Sequence, residues 1–106
     1  MSVVTSIALT CSLGEALNWA EKPPGNVALI NAWLAARKFG PLTDCARLAS
    51  AGDKYPQFLM YLAGYNHFPE DDFVAFFRTV EWENPENVVL VLKPEDGRTR
   101  IYRPEH

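Results

Sequence analysis

Residues 56–65 read PQFLMYLAGY and carry no charged side chain. How this stretch is read decides the fold. Leu, Met and Ala are good helix formers, and Pro56 suits the first turn of a helix. Phe58, Leu59, Met60, Tyr61, Leu62 and Tyr65 are apolar or amphipathic nearly all the way round. A helix with that pattern belongs at the centre of its domain. The stretch predicts a central helix over 56–65.

The residues before it support a helical reading. Thr43 caps a short helix over about 44–51 that stops at Gly52. Upstream, VALINAWLAARKF (27–39) is alanine-rich, with Asn26 as its N-cap and Gly40 and Pro41 as its stop. SLGE at 12–15 fits a capping box, in which Ser12 accepts from the backbone of residue 15 and Glu15 reaches back. A short helix follows to about Glu21, where KPPG (22–25) ends it. Residues 3–10, VVTSIALT, are rich in β-branched side chains and alternate as a short strand, with a helical turn as the second choice.

On the other side, residues 69–81 show the cleanest period. Phe73, Phe76, Phe77 and Val80 fall at i, i+3, i+4 and i+7 and predict one inward face. VVLVL (88–92) and RTRIY (98–102) then predict two strands joined by KPEDG, a type I turn with its glycine in the left-handed region. WLAARKFGPLTD (33–44) and YLAGYNHFPEDD (61–72) echo each other faintly, which suggests two similar helix–turn–helix units.

The expected fold is therefore α+β. Four or five short helices pack as two αα-hairpins, and a small antiparallel sheet is built on a C-terminal β-hairpin, with residues 3–10 as a candidate third strand. The core is expected to include Trp33, Leu34, Leu48, Phe58, Leu62, Phe73, Phe76, Phe77, Val88, Leu90 and Leu92. At 106 residues the chain fits one globular domain, large enough for a core without disulfide or metal staples.

The formal charge of −3 argues against broad nucleic-acid or membrane-surface binding, which wants a basic footprint. No run approaches the ~20 apolar residues needed to span a bilayer, and the N-terminus lacks the basic start of a signal peptide. IALTC (7–11) resembles a lipoprotein cleavage site only faintly, since Thr10 stands where a smaller residue belongs. A cytoplasmic protein is expected. The two cysteines, Cys11 and Cys45, then read as free thiols, with a single bridge between them as the alternative.

Chemistry-bearing residues concentrate in GYNHFPEDDFVAFF (64–77). His67, Glu70, Asp71 and Asp72 have the right types for a metal or for acid–base work. Consecutive carboxylates on a helix splay about 100° apart, however, so they do not converge on one point. In a first helical turn they complement the dipole instead. Cys45 with His67 has the residue types of a nucleophile pair, but no strained turn presents the thiol. No phosphate loop, paired-cysteine metal motif or nucleophile elbow is present. No enzyme and no cofactor are expected; a small metal-dependent or cysteine enzyme is one alternative. A helix–turn–helix regulator over 38–65 is the other, weakened because its second helix offers only Gln57 to base edges.

Charge layout is the most suggestive feature. Residues 70–96 hold eight acids against Arg78 and Lys93, and Arg98, Arg100 and Arg103 follow at once. This predicts a protein-binding surface for a basic partner, as in an inhibitor, immunity-type or adaptor protein. Its expected residues are Glu70, Asp71, Asp72, Glu81, Trp82, Glu83, Glu86, Arg98, Arg100 and Tyr102. Acids steer a basic partner in, and exposed Trp, Tyr and Arg anchor it.

Overall fold

A computed structural model describes residues 3–15, 25–45, 52 and 58–104. The elements are β1 (Val4–Ser12), α1 (Asn26–Ala36), β2 (Thr43–Asp44), β3 (Phe58–Asn66), α2 (Glu70–Phe77), β4 (Val89–Pro94) and β5 (Arg100–Tyr102). All five strands join one antiparallel sheet in the order β2-β3-β1-β4-β5. β1 and β2 both run antiparallel to β3, so they are parallel to each other, with α1 in the connection between them. β3 and β4 are likewise parallel, with α2 between them. This is the split β-α-β plan, extended at one edge by β5.

The class is α+β, but the expected architecture is overturned. Among the described residues there are two α-helices and no αα-hairpin. Residues 58–66 are a strand, paired with β1 at every position from Val4↔Asn66 to Ser12↔Phe58. Nine consecutive pairings outweigh the weak helical preference of Leu, Met and Ala. The sheet is built on β1 at its centre, and the pairing of β4 with β5 forms one edge of it. The helices expected over 13–21 and 44–51 fall largely outside the described residues. Within them, Leu13–Glu15 is a 3₁₀ turn and Thr43–Asp44 is a strand. The two halves of the faint repeat also differ, the first running helix to strand and the second strand to helix.

One core lies between the sheet and the helices. Ile7, Leu9 and Cys11 of β1, Tyr61 and Tyr65 of β3, and Leu90 and Leu92 of β4 point into it. From α1 come Val27, Ile30, Trp33 and Leu34, and from α2 Phe73, Val74 and Phe77. Trp33 ties the helices together, with its ring 5.3 Å from Phe73 and 5.7 Å from Phe76. The face expected from the 3.6 period is thus the buried one: Phe73, Phe77 and Val80 are buried and Phe76 is half-buried against the core. Two residues expected in the core are not there. Phe58 is 53% and Leu62 44% exposed, because even-numbered side chains of β3 point to the other side of the sheet. Leu48 lies outside the described residues.

The helix boundaries follow local chemistry. α1 stops earlier than Gly40. Lys38 takes the left-handed conformation (φ 66°), and the Phe39 and Lys38 amides donate to the carbonyls of Leu34 and Ala35. That is a Schellman ending with lysine where glycine is usual. In the β4–β5 turn, Gly97 does not adopt positive φ. It is needed for space, since a Cβ there would meet Pro94 Cγ at 2.9 Å.

Candidate functional site

The two layers leave one face of the sheet uncovered by any described residue. Along β3 this open face carries Phe58, Met60 (44% exposed) and Leu62. Across the strands, Leu62 is in register with Ala8, Ala8 with Val91, and Val91 with Ile101, which is 68% exposed. One row further along, Met60, Thr10 and Val89 align in the same way. Between Val4 and Ser12 at its ends, the central strand contributes only small side chains here: Ser6, Ala8 and Thr10. A shallow groove therefore runs along β1, with a β3 ridge on one side and a lower ridge of Val89 and Val91 on the other. Within the strands, Lys93 is the only ionisable group on this face.

A period of 3.6 over 58–66 hides this surface. The sequence carries the spacing of this face but not the polar contrast that would set a strand apart from a helix. Phe58, Met60 and Leu62 recur at i, i+2 and i+4, with Tyr61 and Tyr65 on the alternate side.

The residues expected to form an acidic recognition surface are placed as follows. Glu70, Asp71, Arg100 and Tyr102 do come together, on the helical side of β5. Thr5 Oγ1 donates to Glu70 at 2.6 Å, and Arg100 lies 3.7 Å from Asp71. Tyr102 most of all, and then Glu70 and Asp71, raise the Arg100 guanidinium above its usual pKa. The Arg78 guanidinium sits over the Tyr102 ring. Asp72 and Arg98 are exposed nearby in sequence. Glu81, Glu83 and Glu86 lie beyond the other end of α2, about 12 Å of helix away, so the acids form two groups. Trp82 is buried, with its ring 5.5 Å from Phe77, and serves the core.

The segment 81–84 is held by a buried carboxylate. Glu15 is fully buried. Its Oε1 accepts from the Asn26 side-chain amide at 2.7 Å and from the Glu83 amide at 3.2 Å, and its Oε2 accepts from the Asn84 amide at 2.9 Å. Asn26 also donates to the Glu81 carbonyl, and the Asn84 side chain donates to Ser12 Oγ. Neither Ser12–Glu15 capping nor capping of α1 by Asn26 occurs. Both polar groups are used across the fold instead.

The catalytic constellations do not assemble. Cys45 donates its backbone amide to Met60, and His67 lies seven residues further along β3, about 20 Å away at strand rise. His67 is exposed in the turn after β3, at φ 51°. Among the described residues no three His, Cys, Asp or Glu side chains are placed to hold a metal ion. The helix–turn–helix drawn over 38–65 lacks its second helix, since 58–66 is β3. No helix among the described residues is long and apolar enough to cross a membrane.

Both cysteines are free, and Cys11 is fully buried. Burial first, and then the charges of Glu15 and Asp44, push its thiol from 9.0 up to about 12. In the unfolded chain this thiol ionises near 9, while in the folded protein it stays neutral. Ionisation then favours the unfolded state, so stability is full below pH 9 and falls as pH rises from there toward 12. The Cys11→Ala variant is expected to show a shallower decline over that range in chemical-denaturation titrations. Equal slopes for the two proteins would contradict the assignment.

Compared with known proteins, the chain matches no family model, no curated protein and no solved structure at a level that shows kinship.

Proposed function

We propose that the domain works by binding a polypeptide on the open face of its sheet, as a non-enzymatic inhibitor, immunity-type or adaptor protein. One observation carries this reading: β3 is apolar on both faces, while described residues cover only one. A continuous apolar run is the pattern of a strand buried on both sides. An exposed apolar face several strands wide marks an interaction site more often than an idle surface. The acids at 70–72 and 81–86 lie outside that face. In this proposal they take no part in the buried contact. A reducing, cytoplasmic setting suits the free, buried Cys11 thiol.

The test is a Met60→Cys probe in a Cys45→Ser background, alkylated in dilute pure protein, in concentrated pure protein and in host lysate. The introduced thiol is expected to react at least tenfold more slowly in one of the last two conditions. Equal, rapid reaction in all three would reject the docking surface.

A further inference from the structure

We infer that the occupant of the open face is a second copy of this chain, packed sheet on sheet about a two-fold axis. This rests on the docking role proposed above and goes further by naming the partner.

The face is complementary to itself. Place the axis parallel to the strands, midway between β3 and β1. Each copy's β3 ridge then lies over the other's β1 groove. Rotation about this axis preserves position along the strands, so the registered rows coincide. Leu62 of one copy meets Ala8 of the other, and Met60 meets Thr10. Packed sheets lie about 10 Å apart, a gap suited to one large and one small side chain. Two leucines would overfill it, and two alanines would leave a void. The natural crossing angle of about −30° between packed sheets keeps these pairs best matched near the centre of the contact.

Charge permits the arrangement. A self-complementary face meets its own charges, and this one has a single ionisable group within its strands. The axis puts the two copies of Lys93 about three strand spacings apart, roughly 14 Å, beyond the ~8 Å screening length at physiological salt. Size permits it as well. The overlap is nine residues long where β3 and β1 cover each other and two residues long where β4 meets β2, about 10 by 30 Å at its core. Such a contact removes roughly 700 Å² of total surface, the size of a weak, transient association.

Sedimentation equilibrium of the pure protein from about 1 μM to about 1 mM spans the range in which such an interface associates. A concentration-dependent monomer–dimer equilibrium is expected. Ala8→Leu should weaken the dimer at least tenfold by overfilling the gap, and the double variant Ala8→Leu, Leu62→Ala should recover most of the loss. Circular dichroism confirms that each variant is folded. A dimer that ignores Ala8→Leu, or is not rescued by the double variant, refutes the packing. A monomer throughout refutes the inference, and the Met60→Cys probe then separates the causes. Protection in lysate alone leaves the docking face standing with a different protein on it. Protection in dilute monomer assigns the face to this chain's own residues. No protection anywhere removes the docking face itself.

Discussion

Glu15→Ala is expected to lower the unfolding free energy by about 2–4 kcal/mol, read from urea denaturation with an unchanged slope. The carboxylate is fully buried and accepts from three donors on two distant segments. Removing it leaves the Asn84 and Glu83 amides without that acceptor, at about 1–3 kcal/mol for each buried group stranded. Asn26 keeps its bond to the Glu81 carbonyl, so the loss is less than three full penalties. Glu15→Gln isolates the charge from the shape. One amide oxygen can still accept, but the new NH₂ confronts a donor, and about half the loss is expected. A change of less than about 0.5 kcal/mol in the alanine variant, the range of ordinary surface substitutions, would show that Glu15 does not hold the 81–84 segment.

Phe73→Ala is expected to cost more, about 3–5 kcal/mol. Phe73 is fully buried, with ring contacts at 5.3 Å to Trp33 and 5.2 Å to Phe68. These edge contacts join α2 to α1 and to the turn after β3, so a truncation opens a cavity where three segments meet. Against the ~5–15 kcal/mol of a typical domain, this loss leaves the protein marginal. Phe73→Leu retains most of the volume and should cost about 1.5 kcal/mol or less. If the alanine variant lost no more than the leucine one in denaturant midpoints, the aromatic cluster would not be the centre of the core.

What the sequence reveals here depends on whether the deciding contact is local. The inward face of α2 is legible because Phe73 and Phe77 sit at helical spacing, although the helix expected to 81 ends at Phe77 and Val80 is buried just beyond it. Residues 3–10 are legible as a strand because they are rich in β-branched side chains and alternate, although the strand runs on to Ser12. The pairing of 89–94 with 100–102 is legible from the turn between them, although its glycine answers to the nearby Pro94 ring and not to a left-handed φ. Residues 58–66 are not legible in this way. Alternation is visible when one face is polar, and β3 is apolar on both. Helix and strand then differ only through the partner, and that partner is β1, 46 to 62 residues away. Glu15 is obscured for the same reason. Ser12 and Glu15 have the spacing of a local cap, while the actual donors come from 26, 83 and 84. The candidate docking face follows from the alignment of three strands, so no single segment displays it. The charged residues at 70–72 and 100–102 are recognisable by type, but their grouping around Arg100 depends on how α2 lies over β5.

The central position of β1 has a consequence for synthesis. β1 hydrogen-bonds to β3 on one side, 46–62 residues later in the chain, and to β4 on the other, 79–89 residues later. At about 5–20 residues per second, roughly 2–12 s pass before β3 can pair and roughly 4–18 s before β4 can. Sheet assembly during synthesis is therefore stepwise: the nine β1–β3 pairs become possible first, and the other edge of β1 stays open until β4 follows.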